Sequence, residues 1–205
     1  MNAPWKDFHK ETLTKIFTEK KNILDIGGGL RLKSGQGNIY SKDNGFLFPY
    51  LKDVTYKIMD PVDTYQPDIV GDIHKMPFGN NELDAIVCSS VLEHIEDPIR
   101  AAKELFRVLK PGGYCYVYVP FLYYYHAEKG YYGDYWRFTE EAIRFMFRDF
   151  SRIEIQQVRG ALETWLHISP LGKIKLIALT ARVLDKLTGK DNSKQTSGYY
   201  VFLLK

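Results

Sequence analysis

The sequence contains few cysteines and no long apolar run. Its two cysteines, Cys88 and Cys115, both lie in apolar segments with the character of strands. They predict buried thiols in a reducing compartment and no disulfide framework. No stretch approaches the roughly 20 apolar residues that span a bilayer, and residues 1–21 are charged throughout, unlike a signal peptide. These absences predict a cytoplasmic protein.

Concentrated positive charge is also absent. The chain has 28 Lys and Arg residues against 25 Asp and Glu residues, a formal net charge of +3, and it contains no long basic run. Proteins that bind nucleic acid usually present a concentrated basic face to the phosphates. We therefore expect no nucleic-acid partner.

What the sequence does contain is a regular alternation of short apolar strands and amphipathic helices. Strands are predicted at residues 22–26, 55–59, 68–70, 83–89, 114–120, 152–158 and 199–204. Helices are predicted at residues 4–20, 98–109, from 140 onward, and over 162–187 with an interruption near Pro170. This alternation is typical of an α/β fold with a mostly parallel sheet and helices on both faces. The length suits one domain, residues 1–205, with residues 162–187 as a helical insertion before the last strand.

The first predicted strand runs directly into a glycine turn, Asp25-Ile26-Gly27-Gly28-Gly29. Glycines let the backbone turn sharply and approach a ligand closely, and in open α/β sheets ligands bind at the carboxyl ends of the strands. The dinucleotide fingerprint G-x-G-x-x-G is not met, because Leu32 stands in the place of its third glycine. No P-loop motif is present either. A nicotinamide cofactor is therefore disfavoured.

Two aspartates follow at the ends of later predicted strands. Asp60 ends the second strand, where a carboxylate can accept both hydroxyl hydrogen bonds of a ribose. Asp72 can accept a hydrogen bond from an adenine amino group, while Ile73 offers an apolar face to the ring. Taken alone, each aspartate fits an ordinary turn residue equally well.

As an ordered set, these segments resemble a known family. They are the glycine turn, Asp60, residues 71–78, residues 83–87, residues 91–98 (Val-Leu-Glu-His-Ile-Glu-Asp-Pro) and residues 107–113 (Arg-Val-Leu-Lys-Pro-Gly-Gly). Together they cover residues 22–120 and resemble the class I S-adenosylmethionine (SAM)-dependent methyltransferases of the methyltransferase type 11 group. The resemblance implies a Rossmann-like fold with a seven-stranded, mostly parallel sheet, and an enzyme that uses SAM.

The resemblance also implies roles for individual residues. The glycine turn would line the methionine and ribose portion of SAM, Asp60 would hold the ribose, and Asp72 with Ile73 would hold adenine. Ser89, at the end of the fourth strand, would lie near the transferring methyl group. The implied cofactor-binding residues are Asp25, Gly27, Gly28, Gly29, Asp60, Asp72, Ile73 and Ser89.

One segment departs from the family pattern. The gap between Asp25 and Asp60 is longer than is usual, and the extra length falls in Leu30–Lys52. That segment is polar and glycine-containing where a regular helix is the norm, so only a short helical turn is predicted there, over residues 46–51. It fits either a lid or an elaborated surface loop.

A tyrosine-rich stretch follows the strand that ends at Pro120. The chain has 15 Tyr, and the sequence Asp-Tyr-Trp-Arg-Phe-Thr at residues 134–139 is similar to a signature in a subset of these enzymes, one associated with glycan or other surface-polymer biosynthesis. Stacked aromatic rings suit a sugar or another planar acceptor. The predicted acceptor-binding residues are Tyr125, Tyr135, Trp136 and Arg137. The alternative is structural: Trp136 and Phe138 anchor the next helix, and Asp134 pairs with Arg137.

Catalysis on a hydroxyl acceptor benefits from a general base. The candidates are His126, His94 and Asp134, with His126 favoured because it lies in the aromatic stretch. A lone histidine fits a structural role as readily. The five histidines and two cysteines show no metal-ligand spacing, so no catalytic metal is predicted.

The leading hypothesis is a methyltransferase acting on a small-molecule, glycan or lipid-linked acceptor, with oxygen as the methylated atom. The alternative is a protein that binds SAM or S-adenosylhomocysteine (SAH) without catalysis. Residues 162–187 mix apolar and basic side chains. They fit core cover, a cover over the acceptor, a homodimer face or peripheral contact with a membrane.

Overall fold

The computed structural model describes residues 3–33 and 41–205. Within these residues seven strands form one sheet: β1 (Asn22–Ile26), β2 (Thr55–Asp60), β3 (Ile69–Val70), β4 (Leu83–Ser89), β5 (Leu109–Pro120), β6 (Arg152–Val158) and β7 (Gly198–Leu204). Their order is β3-β2-β1-β4-β5-β7-β6, and only β7 runs antiparallel to its neighbours. The predicted seven-stranded, mostly parallel sheet is confirmed.

Five α-helices accompany the sheet in the described residues: α1 (Pro4–Glu19), α2 (Pro98–Val108), α3 (Glu140–Met146), α4 (Ala161–Ile168) and α5 (Lys175–Leu187). The predicted caps are confirmed. The Asp97 side chain accepts a hydrogen bond from Arg100 N at 2.9 Å, and the Thr139 hydroxyl accepts one from Ala142 N at 3.1 Å. Each satisfies a backbone donor that the first turn of a helix leaves unpaired.

The sheet is covered on both faces, and β4 shows this most clearly. Ala85 and Val87 face a cluster that includes Leu13, Ile16 and Phe17 of α1. Alternate residues of the same strand, Ile86 and Cys88, face the cluster built on α2 and α3. Full burial of each large apolar side chain contributes about 1.5–3 kcal/mol. The two clusters therefore fix the central strands between two layers of helices. Because these strands are parallel, their carboxyl ends meet at one edge of the sheet.

The segment after the glycine turn differs from its prediction. A 3-10 helix runs from Lys42 to Asp53, beginning earlier than the short turn predicted over residues 46–51. The buried Asn44 explains this: its amide donates to Leu30 O at 3.0 Å, and its Oδ1 lies 2.8 Å from His9 Nε2 on α1. The described part of the segment is thus anchored to α1. Residues 34–40 of the segment predicted as a lid or surface loop lie outside the described residues.

Strand β5 also begins earlier than predicted, at Leu109 instead of Tyr114. Lys110-Pro111-Gly112-Gly113 ends α2 as expected, but the chain continues extended, because a residue before proline favours the β region. Leu109 pairs with Leu83, with an irregularity in register before Ala85. Within the described residues, no helix is long and apolar enough to cross a bilayer.

Candidate functional site

The glycine turn closes tightly over the ends of β2 and β4. Gly27 N donates to Met59 O at 2.8 Å. Gly27 and Gly28 have φ values of 74° and 60°, a region that residues with a Cβ atom rarely adopt. At Gly29 a Cβ atom would lie 2.7 Å from the carbonyl oxygen of Ser89. The turn therefore depends on the absence of side chains at these positions.

Replacing Gly29 with alanine is expected to lower the free energy of unfolding by about 1–3 kcal/mol, the usual cost of forcing extra atoms into a filled site. The backbone of β4 must move, because the obstructing atom is a main-chain oxygen. Urea unfolding measures the loss. Gly45→Ala is the matched control, since its Cβ would meet only the Phe48 ring at 3.7 Å. A Gly29→Ala variant as stable as the wild type would contradict this packing.

Asp25 lies beneath the turn and is fully buried. Its Oδ2 accepts hydrogen bonds from Leu30 N at 3.1 Å and from the Tyr56 hydroxyl, while Oδ1 has no partner among the described residues. Burial raises the pKa of this carboxyl to about 7, although these hydrogen bonds oppose the shift. Asp25 thus shapes the turn from below and does not form part of the cavity wall.

A cavity of about 810 Å³ opens above the turn, at the carboxyl edge of the sheet. Seven of the predicted cofactor residues line it: Gly27, Gly28, Gly29, Asp60, Asp72, Ile73 and Ser89. The Asp60 carboxylate accepts a hydrogen bond from Val62 N at 2.8 Å through Oδ1, and burial raises its pKa. Asp72 Oδ1 accepts from His74 N at 2.9 Å.

Two histidines predicted as catalytic, His94 and His126, line the same cavity with ring centroids 4.7 Å apart. Between them lies Glu93, whose Oε1 is 3.9 Å from His94 Nε2 and 3.8 Å from His126 Nε2. Only 1% of Glu93 is exposed, and its Oε2 has no partner among the described residues. The Glu93 carboxylate raises the pKa of His126, and burial opposes that shift.

Glu93 was missed from the sequence as a site residue. The available signal was its position shortly after the end of β4, at the edge where ligands bind in open α/β sheets. Its backbone also positions the tyrosine-rich stretch. Glu93 O accepts hydrogen bonds from Tyr135 N at 2.7 Å and Trp136 N at 3.2 Å. These bonds bring His126 against the end of β4.

Asp134, the third predicted catalytic residue, does not line the cavity. Its side chain is fully buried, and its two oxygens accept hydrogen bonds from Arg137 at 2.6 and 2.8 Å. Oδ2 also accepts from His126 N at 2.8 Å. The bonds from Arg137 hold the pKa of this carboxyl well below its usual range, although burial opposes them. The structural ion pair considered from the sequence is present, and Asp134 positions the backbone of His126.

Of the four predicted acceptor-binding residues, some line the cavity and others have a structural role. Tyr135 lines the cavity, whereas Tyr125, Trp136 and Arg137 do not. Trp136 Nε1 donates to Ile95 O at 2.9 Å, and Arg137 donates to Tyr124 O at 2.9 Å. The side chains of Trp136 and Arg137 thus hold the stretch in place. The structural alternative also holds for Phe138, which is buried in the core beside α3.

Other tyrosines line the cavity that the sequence did not single out. The rings of Tyr65 and Tyr131 stack with their centroids 5.5 Å apart, and the ring centroids of Tyr132 and His94 are 4.4 Å apart. The high tyrosine content was the only signal for them. It pointed to a ligand-contacting surface without saying which rings form it.

These residues fit SAM as a cofactor. The cavity lies within the range of about 300–1,000 Å³ that small ligands occupy. The glycine turn forms the floor of the cavity. Because the turn carries no side chains, a ligand can approach its backbone closely. The carboxylates of Asp60 and Asp72 supply acceptors for hydroxyl and amino groups, and Ile73 supplies an apolar face.

Residues 54–117 match a family model described as a methyltransferase domain. This part of the chain is thus similar to a methyltransferase domain. The matched span includes Asp60, Asp72, Ile73 and Ser89, together with Glu93 and His94, which line the same cavity.

Individual proteins named as methyltransferases are also similar to parts of the chain. An uncharacterised methyltransferase of Schizosaccharomyces pombe is 49% identical over 45 residues, which are 22% of this chain and 16% of the relative. The ubiquinone/menaquinone biosynthesis C-methyltransferase of Vibrio cholerae is 29% identical over 102 residues, covering 45% and 38% of the two chains. The chain spans less than half the length of these curated relatives.

A similarity in fold extends over nearly the whole chain. The crystal structure of a SAM-dependent methyltransferase from Archaeoglobus fulgidus superposes with a TM-score of 0.60 at 15% sequence identity. The match covers 98% of this chain and 94% of the other. The Rossmann-like methyltransferase fold expected from the resemblance is confirmed.

Proposed function

We propose that this chain is an enzyme that transfers the methyl group of SAM to a small-molecule, glycan or lipid-linked acceptor, with oxygen as the accepting atom. One observation carries the proposal. A single cavity joins the predicted cofactor residues, from Gly27 to Ser89, to a wall of histidines and tyrosines that a cofactor of this kind does not need. That second wall supports a place for an acceptor beside the cofactor.

SAM supplies a methyl group already activated on a sulfonium, so most of the work left to the protein is alignment. Holding two reactants in line is worth about 7–11 kcal/mol at best. Asp60 would hold the ribose, Asp72 and Ile73 the adenine, and Ser89 with the glycine turn the methionine portion. Asp25 would support that turn without touching the ligand.

The acceptor side supports a hydroxyl compound with a ring. The stacked pair Tyr65–Tyr131 and the Tyr132 ring offer aromatic faces for a sugar or planar group. His94 and His126 turn their Nε2 atoms toward the Glu93 carboxylate at the cavity wall. One of them, His126 by preference, would accept the hydroxyl proton, and Asp134 would hold the His126 backbone in position. The Vibrio relative is named a C-methyltransferase, so the choice of oxygen depends on these two imidazoles.

We also infer that residues 1–205 form one domain in which α4 and α5 are an insertion between β6 and β7. The buried Asp185 of α5 ties the two helices together by accepting hydrogen bonds from Leu162 N and Glu163 N at 2.8 and 2.9 Å. Apolar side chains on the outer face remain exposed, among them Trp165, Leu176 and Leu187. They support the predicted homodimer face or peripheral membrane contact, and both stay predictions, as does the cytoplasmic location.

Turnover tests the proposal. The purified chain is incubated with SAM and a panel of sugars, nucleotide sugars and phenols, and SAH is quantified with and without each acceptor. We expect SAH formation that requires an acceptor, and a product whose new methyl group is on oxygen. If the chain binds SAM and SAH but forms no SAH from SAM with any acceptor of the panel, the result would favour the non-catalytic alternative. Methylation on carbon or nitrogen would contradict the assignment of the atom.

A further inference from the structure

Three potential metal ligands meet at one wall of the cavity. Glu93 and His94 follow β4, whereas His126 comes from the tyrosine-rich stretch after β5. One ligand atom from each residue lies within 4.8 Å of the other two. Spacing along the chain does not reveal such a group, which explains why the sequence predicted no catalytic metal.

The outer hydrogen bonds of both histidines point their free nitrogens into the group. His94 Nδ1 lies 2.6 Å from Gly133 O, and His126 Nδ1 lies 3.1 Å from Tyr124 O. A carbonyl oxygen only accepts, so each Nδ1 carries the proton, and in a neutral imidazole the Nε2 lone pair is then free. Orientation of a ligating histidine by a bond from its other nitrogen is the usual arrangement around bound metals.

The carboxylate of Glu93 provides a second, independent observation. It is buried, and the two histidines are its only ion-pair partners within 4 Å in the described part of the chain. Its Oε2 has no hydrogen-bond partner there. A buried carboxylate that faces two imidazole Nε2 atoms needs a positive charge beside it, which a protonated imidazole or a bound metal ion can supply.

We propose that Glu93, His94 and His126 bind one divalent transition-metal ion of the Zn²⁺ and Co²⁺ class. Two imidazoles with one carboxylate favour such an ion over Mg²⁺ or Ca²⁺, which prefer oxygen ligands. Ligands at about 2.0–2.2 Å from Zn²⁺ stand roughly 3.3 Å apart in a tetrahedral site. The separations of 3.8 and 3.9 Å from Glu93 Oε1 therefore need only small side-chain rotations.

Three protein ligands leave a coordination position open, as in catalytic zinc sites. Since all three residues line the cavity, that position is available to the acceptor. A bound ion would polarise a hydroxyl oxygen and lower its pKa, so that the proton would pass to solvent water. In the metal-bound protein His94 and His126 would then be ligands, and the proton-acceptor role proposed above for His126 would apply only without the ion. This role rests on the proposed function, whereas binding of the ion does not.

The test uses the purified full chain after chelator treatment and dialysis. Titration with CoCl₂ is followed by visible absorption, and titration with ZnCl₂ is followed by calorimetry. We expect one ion per chain, with Zn²⁺ displacing Co²⁺. Glu93→Gln and His126→Ala are each expected to weaken Zn²⁺ binding at least tenfold. His167→Ala, which changes a histidine outside the group, is expected to bind as the wild type does.

Thermal unfolding and SAH binding of each variant, measured without metal, separate a lost site from a lost fold. Glu93→Gln preserves size, and His126 is partly exposed, so at least one of the two variants is expected to fold. Absence of stoichiometric binding by the wild type would overturn the proposal. So would equal binding by folded Glu93→Gln or His126→Ala. SAH binding that persists in either case leaves the proposed function intact, and metal binding without SAH binding would overturn that function alone.

Discussion

Replacing Asp60 with alanine is expected to weaken SAM binding about 10- to 150-fold. The carboxylate lines the cavity at the end of β2, where it can accept the hydroxyl hydrogen bonds of a ribose. Hydrogen bonds to a charged group contribute about 1.5–3 kcal/mol, which gives this range of affinity. Calorimetry with SAM and with SAH measures the change directly.

Two further variants separate ribose binding from other effects of the substitution. Asp60→Asn keeps an acceptor for Val62 N, which bonds to Asp60 Oδ1 at 2.8 Å, but removes the charge. It is expected to bind more weakly than the wild type and more tightly than Asp60→Ala. Asp63→Ala changes a nearby exposed aspartate that does not line the cavity, so it is expected to bind normally. Unchanged affinity in Asp60→Ala would remove Asp60 from the site.

Protein stability is expected to depend on pH through Asp25. Burial raises its pKa from 3.8 to about 7 in the folded chain. Below about pH 4 the carboxyl is protonated in both the folded and unfolded states, so its favourable contribution is fully present. As pH rises toward 7 the unfolded state loses its proton first, and the contribution is lost. The shift corresponds to about 4 kcal/mol.

Asp25→Asn isolates this effect from the other carboxyls. Asparagine keeps an acceptor for Leu30 N and the Tyr56 hydroxyl but has no proton to lose. Urea unfolding of wild type and variant at pH 4.5, 6 and 7.5 gives the difference in stability at each pH. We expect the variant to gain on the wild type as pH rises. A difference that stays constant over this range would show that Asp25 titrates normally, and Asp63→Asn is the exposed control.

The sequence predicted those parts of the structure that short-range chemistry determines. Asp97 and Thr139 cap the helices that follow them, and Gly27–Gly29 form the turn expected between β1 and the cavity. Seven of eight predicted cofactor residues line that cavity because the ends of parallel strands meet at one edge. Asp25 is the exception: the family resemblance implied ligand contact, whereas its Oδ2 accepts a hydrogen bond from Leu30 N at the end of the turn.

The parts that were missed depend on contacts between distant segments. The helix from Lys42 to Asp53 is tied through Asn44 to His9, and nothing within the segment indicates that partner. Asp134 and Arg137 satisfy each other and so leave the cavity. Glu93 and His126 come together only because the tyrosine-rich stretch docks on the Glu93 backbone. Spacing alone could not indicate these arrangements.

Calorimetry of the purified chain with SAM, SAH and NAD tests the central claim most directly. The cavity above Gly27–Gly29, with Asp60 and Asp72 in its wall, predicts binding of SAM and SAH at one molecule per chain and no binding of NAD. Heat on titration with NAD would contradict the assignment of a SAM site. So would the absence of heat with both SAM and SAH when the protein is folded.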